Sequence, residues 1–202
     1  MRSPAYLLVA AVSYPIVRLL FRTRWRGTEN VPRHGGAVVA SNHLSNFDPW
    51  PLALGVFPTQ FRFMAKAELF DTPLRGILRA LGGFPVDRAK PDRSSLTTAV
   101  EVLRSGYLLL MVPEGTRRSK GLRKQLEPMP HAGAARIALR AKVPLIPAAV
   151  GGTDRLSRLA PLRVVYGPPI PLDDLASLDR KSAAAQATSR LVEAIDRLEQ
   201  SL

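Results

Sequence analysis

The sequence predicts a single α/β domain with a mainly parallel or mixed central sheet flanked by helices. Three observations carry that prediction. Short apolar runs of strand length alternate with helical patterns from residue 36 to the C-terminus. Pro and Gly stand between the runs as punctuation, with no internal repeat, low-complexity tract or long linker. At 202 residues the chain suits one core and falls short of a comfortable second.

The first 28 residues contain Arg2, Arg18, Arg22, Arg24 and Arg26 and no acid, around an uncharged stretch from Ser3 to Val17. Fifteen helical residues reach about 22 Å against roughly 30 Å of hydrocarbon. Residues 1–27 are therefore expected to form a basic helix lying in a membrane interface, with the folded domain over 28–202. A secretory signal shares the basic start, but it ends in a small-residue cleavage site, and the exit here is Arg-rich. A helix packed on the protein's own core is the remaining alternative.

Apolar runs at 36–40, 61–64, 84–86, 107–112, 145–150 and 162–166 are too short for helices and are expected as buried strands. Helices are expected at 49–56, 73–81, 93–105 and 133–141. In the third of these Asp92 is a candidate cap, Leu96, Ala99, Val100 and Leu103 share a face, and Gly106 terminates. A C-terminal helix carries Leu191, Ile195, Leu198 and Leu202 as a docking stripe.

Charge is the unusual quantity. Against 16 Asp plus Glu stand 29 Lys plus Arg, a formal net charge of +13 that favours polyanions or anionic lipid surfaces. Without cysteine there is no disulfide, thiolate metal site or cysteine nucleophile, in keeping with a reducing compartment. His34, His43 and His131 have no zinc-ligand spacing, so no metal is expected.

Four segments hold the candidate chemistry. In the first, Ser41-Asn42-His43-Leu44-Ser45-Asn46-Phe47-Asp48-Pro49, a strand turns into a helix. Pro49 suits the first helical position and biases Asp48 to extended backbone, so Asp48 is expected to cap the helix while its other oxygen meets His43. A carboxylate on one imidazole nitrogen fixes the tautomer and leaves the other nitrogen to accept a proton from a hydroxyl. Taken alone, the pair is better read as a helix cap beside a surface histidine. In the second, Gly83 to Arg88, an arginine ends a short strand; it can grip a phosphate or merely pair with Asp87. The third, Pro113-Glu114-Gly115-Thr116-Arg117, is a glycine-containing turn after a buried strand, able to gather anions or simply to be a solvated basic loop. The fourth, Val143 to Pro147, has two prolines bracketing buried strand, positions where no backbone donor is available within a sheet.

In order and identity together these blocks resemble the signature motifs of the glycerolipid acyltransferase family, typified by 1-acylglycerol-3-phosphate acyltransferases (PlsC-type). His43 and Asp48 match N-H-x-x-x-x-D, Gly83 to Arg88 match G-x-x-x-x-R, Val112 to Arg117 contain P-E-G-T-R, and Val143 to Pro147 match V-P-x-x-P. Ala65-Lys66-Ala67-Glu68-Leu69 is similar to the family segment between the first two motifs. The resemblance implies a glycerol-3-phosphate acyltransferase-like fold, with His43 as base and Asp48 as its partner. It places Lys66, Arg88, Glu114, Gly115, Thr116 and Arg117 around the acceptor's phosphate and glycerol, and Pro147 at the acyl or thioester site. One departure stands out: where the family often carries Phe-Lys before Gly133, this chain has Pro130, His131 and Ala132.

The implied reaction moves a fatty acyl group from acyl-CoA or acyl carrier protein to the free hydroxyl of 1-acylglycerol-3-phosphate, giving phosphatidic acid. No cofactor beyond the acyl donor is expected. The implied partners are a lysophospholipid acceptor, the donor and an anionic membrane surface, and the implied location is the cytoplasmic face of the cell membrane, peripheral or monotopic. Direct transfer is expected, since there is no G-x-S-x-G elbow and no cysteine. The alternatives are another lipid acceptor, such as a different lysophospholipid, an amino-acid lipid or a glycolipid, and a non-enzymatic basic protein that binds membrane or nucleic acid. Aromatic content of 6% and the lack of a stacking motif weigh against nucleic acid.

Overall fold

Apolar runs covered on both faces dictate the sheet. The computed structural model describes residues 4–73, 75–86, 93–112 and 132–202. Among these, seven strands form one mixed sheet: β1 (Arg24–Arg26), β2 (Ala37–Ser41), β3 (Phe61–Lys66), β4 (Gly83–Val86), β5 (Leu108–Met111), β6 (Leu145–Gly151) and β7 (Arg163–Tyr166). Their spatial order is β1-β7-β6-β2-β5-β3-β4. Every neighbouring pair is parallel except β6 and β7, which are joined by the short connection 152–162 and run antiparallel.

Six helices among the described residues flank the sheet: α1 (Pro4–Leu20), α2 (Pro49–Gly55), α3 (Arg75–Ala80), α4 (Arg93–Arg104), α5 (Gly133–Ala141) and α6 (Arg180–Gln200). The two-residue period of a strand sorts its side chains between two cores. Val38, Ala40, Leu109 and Leu145 face α4, α5 and α6. Ala37, Val39, Leu108, Leu110, Ile146 and Val150 face the side covered by Leu52 of α2. A third cluster, Tyr6, Ala10, Val17, Phe21, Leu54 and Leu162, seats α1 on α2.

The expected face of α4 is the one that packs, with Ala99, Val100 and Leu103 buried and Leu96 against the core. Gly106 takes φ 82° and closes the helix, as its N–H and that of Tyr107 return to the carbonyls of Leu103 and Val102. Asp92 lies outside the described residues. In α6, capped by Asp179 through the N–H groups of Lys181 and Ser182, the buried stripe runs through Ala183, Ala184, Ala187, Leu191 and Ile195. It starts further toward the N-terminus than its leucines suggest, and Leu202 is left exposed.

Pro147 sits inside β6, a strand with neighbours on both sides. The last β6–β7 pair is Ala148 with Tyr166, so Pro147 lies opposite Gly167, one residue past it. Proline has no N–H to return the second bond of that pair, so the β6–β7 ladder stops there, while Gly167 N–H still donates to the Pro147 carbonyl at 2.8 Å.

Between α1 and β1 the chain bends through Arg22, at φ 46°. The Thr23 hydroxyl donates to the Val17 carbonyl and the Arg18 guanidinium to the Thr23 carbonyl. β1 itself was absent from the sequence expectation. It is an edge strand of three residues whose two arginines point outward around a half-buried Trp25.

Candidate functional site

β2 and its neighbours β5 and β6 run parallel, so their carboxyl ends share one edge of the sheet, the edge where open α/β sheets bind ligands. The site is built on the residue that leaves β2. Asn42 is buried, and its amide continues the ladder where the backbone stops: Nδ2 donates to the Val150 carbonyl at 3.0 Å and Oδ1 accepts from Val150 N–H at 2.9 Å. The Ser41 hydroxyl also donates to Asn42 Oδ1. His43 thus starts from a fixed point.

The turn from His43 to Asp48 folds back on itself. Asp48 is 1% exposed, and its Oδ2 accepts from Leu44 N–H at 2.8 Å and Ser45 N–H at 3.0 Å and lies 2.7 Å from His43 Nδ1. Its Oδ1 accepts from the Thr153 hydroxyl. The expected helix cap is overturned. Asp48 has φ −52° and ψ −40°, and its side chain makes no cap hydrogen bond to α2. The reason is competition: the carboxylate is drawn backward to the N–H groups of 44 and 45, and the Asp48 N–H bond to the Ser45 carbonyl winds its backbone into the helical region despite Pro49.

This arrangement sets the tautomer. A carboxylate surrounded by N–H and O–H donors acts as acceptor, so Nδ1 of His43 carries the proton it shares with Oδ2. In the neutral ring Nε2 then holds the lone pair, and among the described residues it has no hydrogen-bond partner. With the His43 side chain 16% exposed, the group is placed as a base with a fixed orientation.

The other expected site residues fall as follows. Lys66 ends β3 at the same sheet edge, two strands from β2, so roughly 10 Å away laterally. It is exposed and forms a 2.9 Å ion pair with Glu68, whose carboxyl is held below its usual range by the Lys66 hydrogen bond. Pro147 is buried mid-strand opposite Ala40, about 10 Å of strand before His43. Arg88, Glu114, Gly115, Thr116 and Arg117 lie outside the described residues; they follow β4 and β5, strands parallel to β2. Thr153 and the role of Asn42 escaped sequence reasoning. The signal available for Thr153 was the Gly151-Gly152 pair ending an apolar run, which marks a tight turn but names no partner.

The chain is similar to known proteins over most of its length. A family model described as Acyltransferase matches residues 22–151. The chain is 35% identical over 178 residues to the 1-acyl-sn-glycerol-3-phosphate acyltransferase of Bacillus subtilis, covering 86% of each protein. It is 32% identical over 161 residues to the enzyme of that name from Streptococcus pneumoniae, covering 77% of this chain and 58% of that one. The crystal structure of the 1-acyl-sn-glycerophosphate (LPA) acyltransferase, PlsC, from Thermotoga maritima superposes with a TM-score of 0.64 at 25% identity, covering 94% of this chain and 79% of that one.

Proposed function

Since this chain belongs to the acyltransferase family, we propose that it acylates the free hydroxyl of 1-acylglycerol-3-phosphate, using acyl-CoA or acyl carrier protein as donor and producing phosphatidic acid. The observation that carries the reading is the His43–Asp48 dyad at the carboxyl end of β2, with Nε2 left to receive a proton. The names of two relatives supply the acceptor class.

In the proposed reaction the acceptor hydroxyl hydrogen-bonds to Nε2 of His43. As its oxygen attacks the thioester carbonyl, the proton passes to the ring, and Asp48 stabilises the imidazolium. Collapse of the tetrahedral intermediate breaks the carbon–sulfur bond, and the thiolate leaves with the proton from His43. Arg88 and Arg117, with Glu114, Gly115, Thr116 and Lys66, are assigned to the acceptor's phosphate and glycerol on the strength of their motifs, and Pro147 to the acyl side.

The test is an acceptor panel offered with each donor and read by mass spectrometry. Phosphatidic acid from lysophosphatidate is the expected product, with no acyl mass retained on the protein when donor is added alone. Product from a different lipid acceptor only would shift the assignment to that acceptor, a reading the Pro130-His131-Ala132 departure keeps in view.

The same proposal places the enzyme on the cytoplasmic face of the cell membrane. α1 buries Tyr6, Ala10, Ser13 and Val17, yet its outer face is apolar too: Leu8, Val12 and Leu19 are 67%, 57% and 76% exposed. No helix among the described residues is long and apolar enough to cross a membrane. An apolar outer face followed by Arg18 and Arg22 fits a helix lying in an anionic interface. Phe21, just past its C-terminal end, lies with its ring 6.3 Å from that of Trp50 in α2, whose backbone N–H donates to the carbonyl of Phe47, itself 56% exposed in the turn between His43 and Asp48. The double variant Leu8→Asp, Leu19→Asp is expected to weaken sedimentation with phosphatidylglycerol vesicles about 100-fold, because each leucine forfeits its transfer into lipid. Unchanged sedimentation would remove the anchor. Deleting α1 is a poorer test, because its inner face is core.

A further inference from the structure

Resting on the proposed acyl transfer, we infer that Thr153 is a positioning residue of the reaction, acting through Asp48 on His43. Thr153 stands 105 positions from Asp48 in the chain and is 2% exposed, and its hydroxyl donates to Asp48 Oδ1 while Oδ2 takes the three donors of the turn. The two carboxylate oxygens thus have separate duties. One is anchored to the end of β6, and the other faces the imidazole.

The backbone is shaped to deliver this hydroxyl. β6 ends at Gly151, and Gly152 takes φ 90°. A Cβ at Gly152 would stand 2.4 Å from the Pro161 carbonyl oxygen, so the reversal that brings Thr153 under Asp48 requires glycine. Val150, three residues earlier, holds Asn42 through both backbone groups. The end of β6 therefore grips the catalytic turn at both of its ends, at Asn42 and at Asp48.

The carboxylate's terminal torsion is soft, with a broad, two-fold profile. With Oδ1 unanchored in a buried site, the group turns to share its donors, and the His43 bond loses the geometry that keeps Nδ1 protonated and Nε2 basic. Thr153 contacts no reacting atom in this scheme. Its contribution is to hold the carboxylate plane.

The test compares Thr153→Val, which keeps the shape and removes the hydroxyl, with Thr153→Ser, which keeps the hydroxyl, on the full chain with acyl-CoA and lysophosphatidate in detergent. The Val variant is expected to lose about 10- to 100-fold in kcat with both KM values unchanged, as for a lost hydrogen bond to a charged group, while Ser stays within about threefold of wild type. Long-range proton–nitrogen NMR should show the neutral His43 ring protonated at Nδ1 in wild type and the Ser variant, and as mixed tautomers in the Val variant. Equal losses in Val and Ser, wild-type kcat in Val, or an unchanged tautomer in Val would each overturn the inference. His43→Ala separates the two levels. An active His43→Ala enzyme defeats the base assignment itself, whereas an inactive one beside a fully active Thr153→Val defeats only the role of Thr153.

Discussion

His43→Ala is expected to lower kcat for acyl transfer by about 10²- to 10⁴-fold, the range attributable to a positioned general base. The expectation is specific because the ring does little else for the fold. Its hydrogen bond is the one to Asp48, and that carboxylate keeps Leu44 N–H, Ser45 N–H and the Thr153 hydroxyl when the ring is gone. Circular dichroism and thermal unfolding of the variant should therefore resemble wild type while steady-state turnover collapses. A variant with near-normal kcat would mean that the acceptor is deprotonated elsewhere.

Asp48→Asn is expected to cost about 10³-fold in kcat, and in contrast to His43→Ala it should also unfold at lower temperature. Two backbone N–H groups and the ring all aim at Oδ2. If the amide oxygen takes that place, the geometry survives, but the imidazolium formed in the transition state loses its neutralising charge. If the amide nitrogen takes it, two half-buried N–H groups face a third donor, and His43 is driven into the opposite tautomer. The second orientation leaves donors unpaired at about 1–3 kcal/mol each, so the first is favoured; it replaces the charge-assisted bonds from Leu44 and Ser45 N–H with weaker neutral ones, which lowers the unfolding temperature, while the larger loss falls on catalysis. Turnover and thermal unfolding of the variant check both parts; kcat reduced less than that of Thr153→Val would contradict the arrangement.

The legible parts of the fold were those with local signatures. β2, β5 and β6 are covered on both faces, which forces continuous apolar runs such as Leu108-Leu109-Leu110, and α4 declares itself by its buried face and its terminal glycine. β1 left no such trace, because three residues with arginines at both ends resemble a loop until β7 pairs with them. The expected cap failed for a related reason: the Asp-Pro step describes local preference, but the Asp48 carboxylate had nearer donors behind it.

The candidate site shows the same division. His43 and Asp48 lie five apart and are brought together by one turn, within reach of a motif. Asn42 acts through Val150 of β6 and Thr153 through Asp48, each pair more than a hundred residues apart, and no window of sequence contains both partners. The mixed sheet followed from alternation of elements, yet the single antiparallel pair depended on how 152–162 folds, which apolar periodicity does not encode.

The bend between α1 and β1 has a mechanical outcome. Thr23 and Arg18 lock that corner, and Trp25 of β1 stacks on Tyr14 of α1 with ring centroids 5.4 Å apart. A helix fastened in this way cannot swivel independently of the strands. Whatever surface α1 settles against therefore sets the tilt of the whole sheet, and with it the direction in which the His43 imidazole faces that surface.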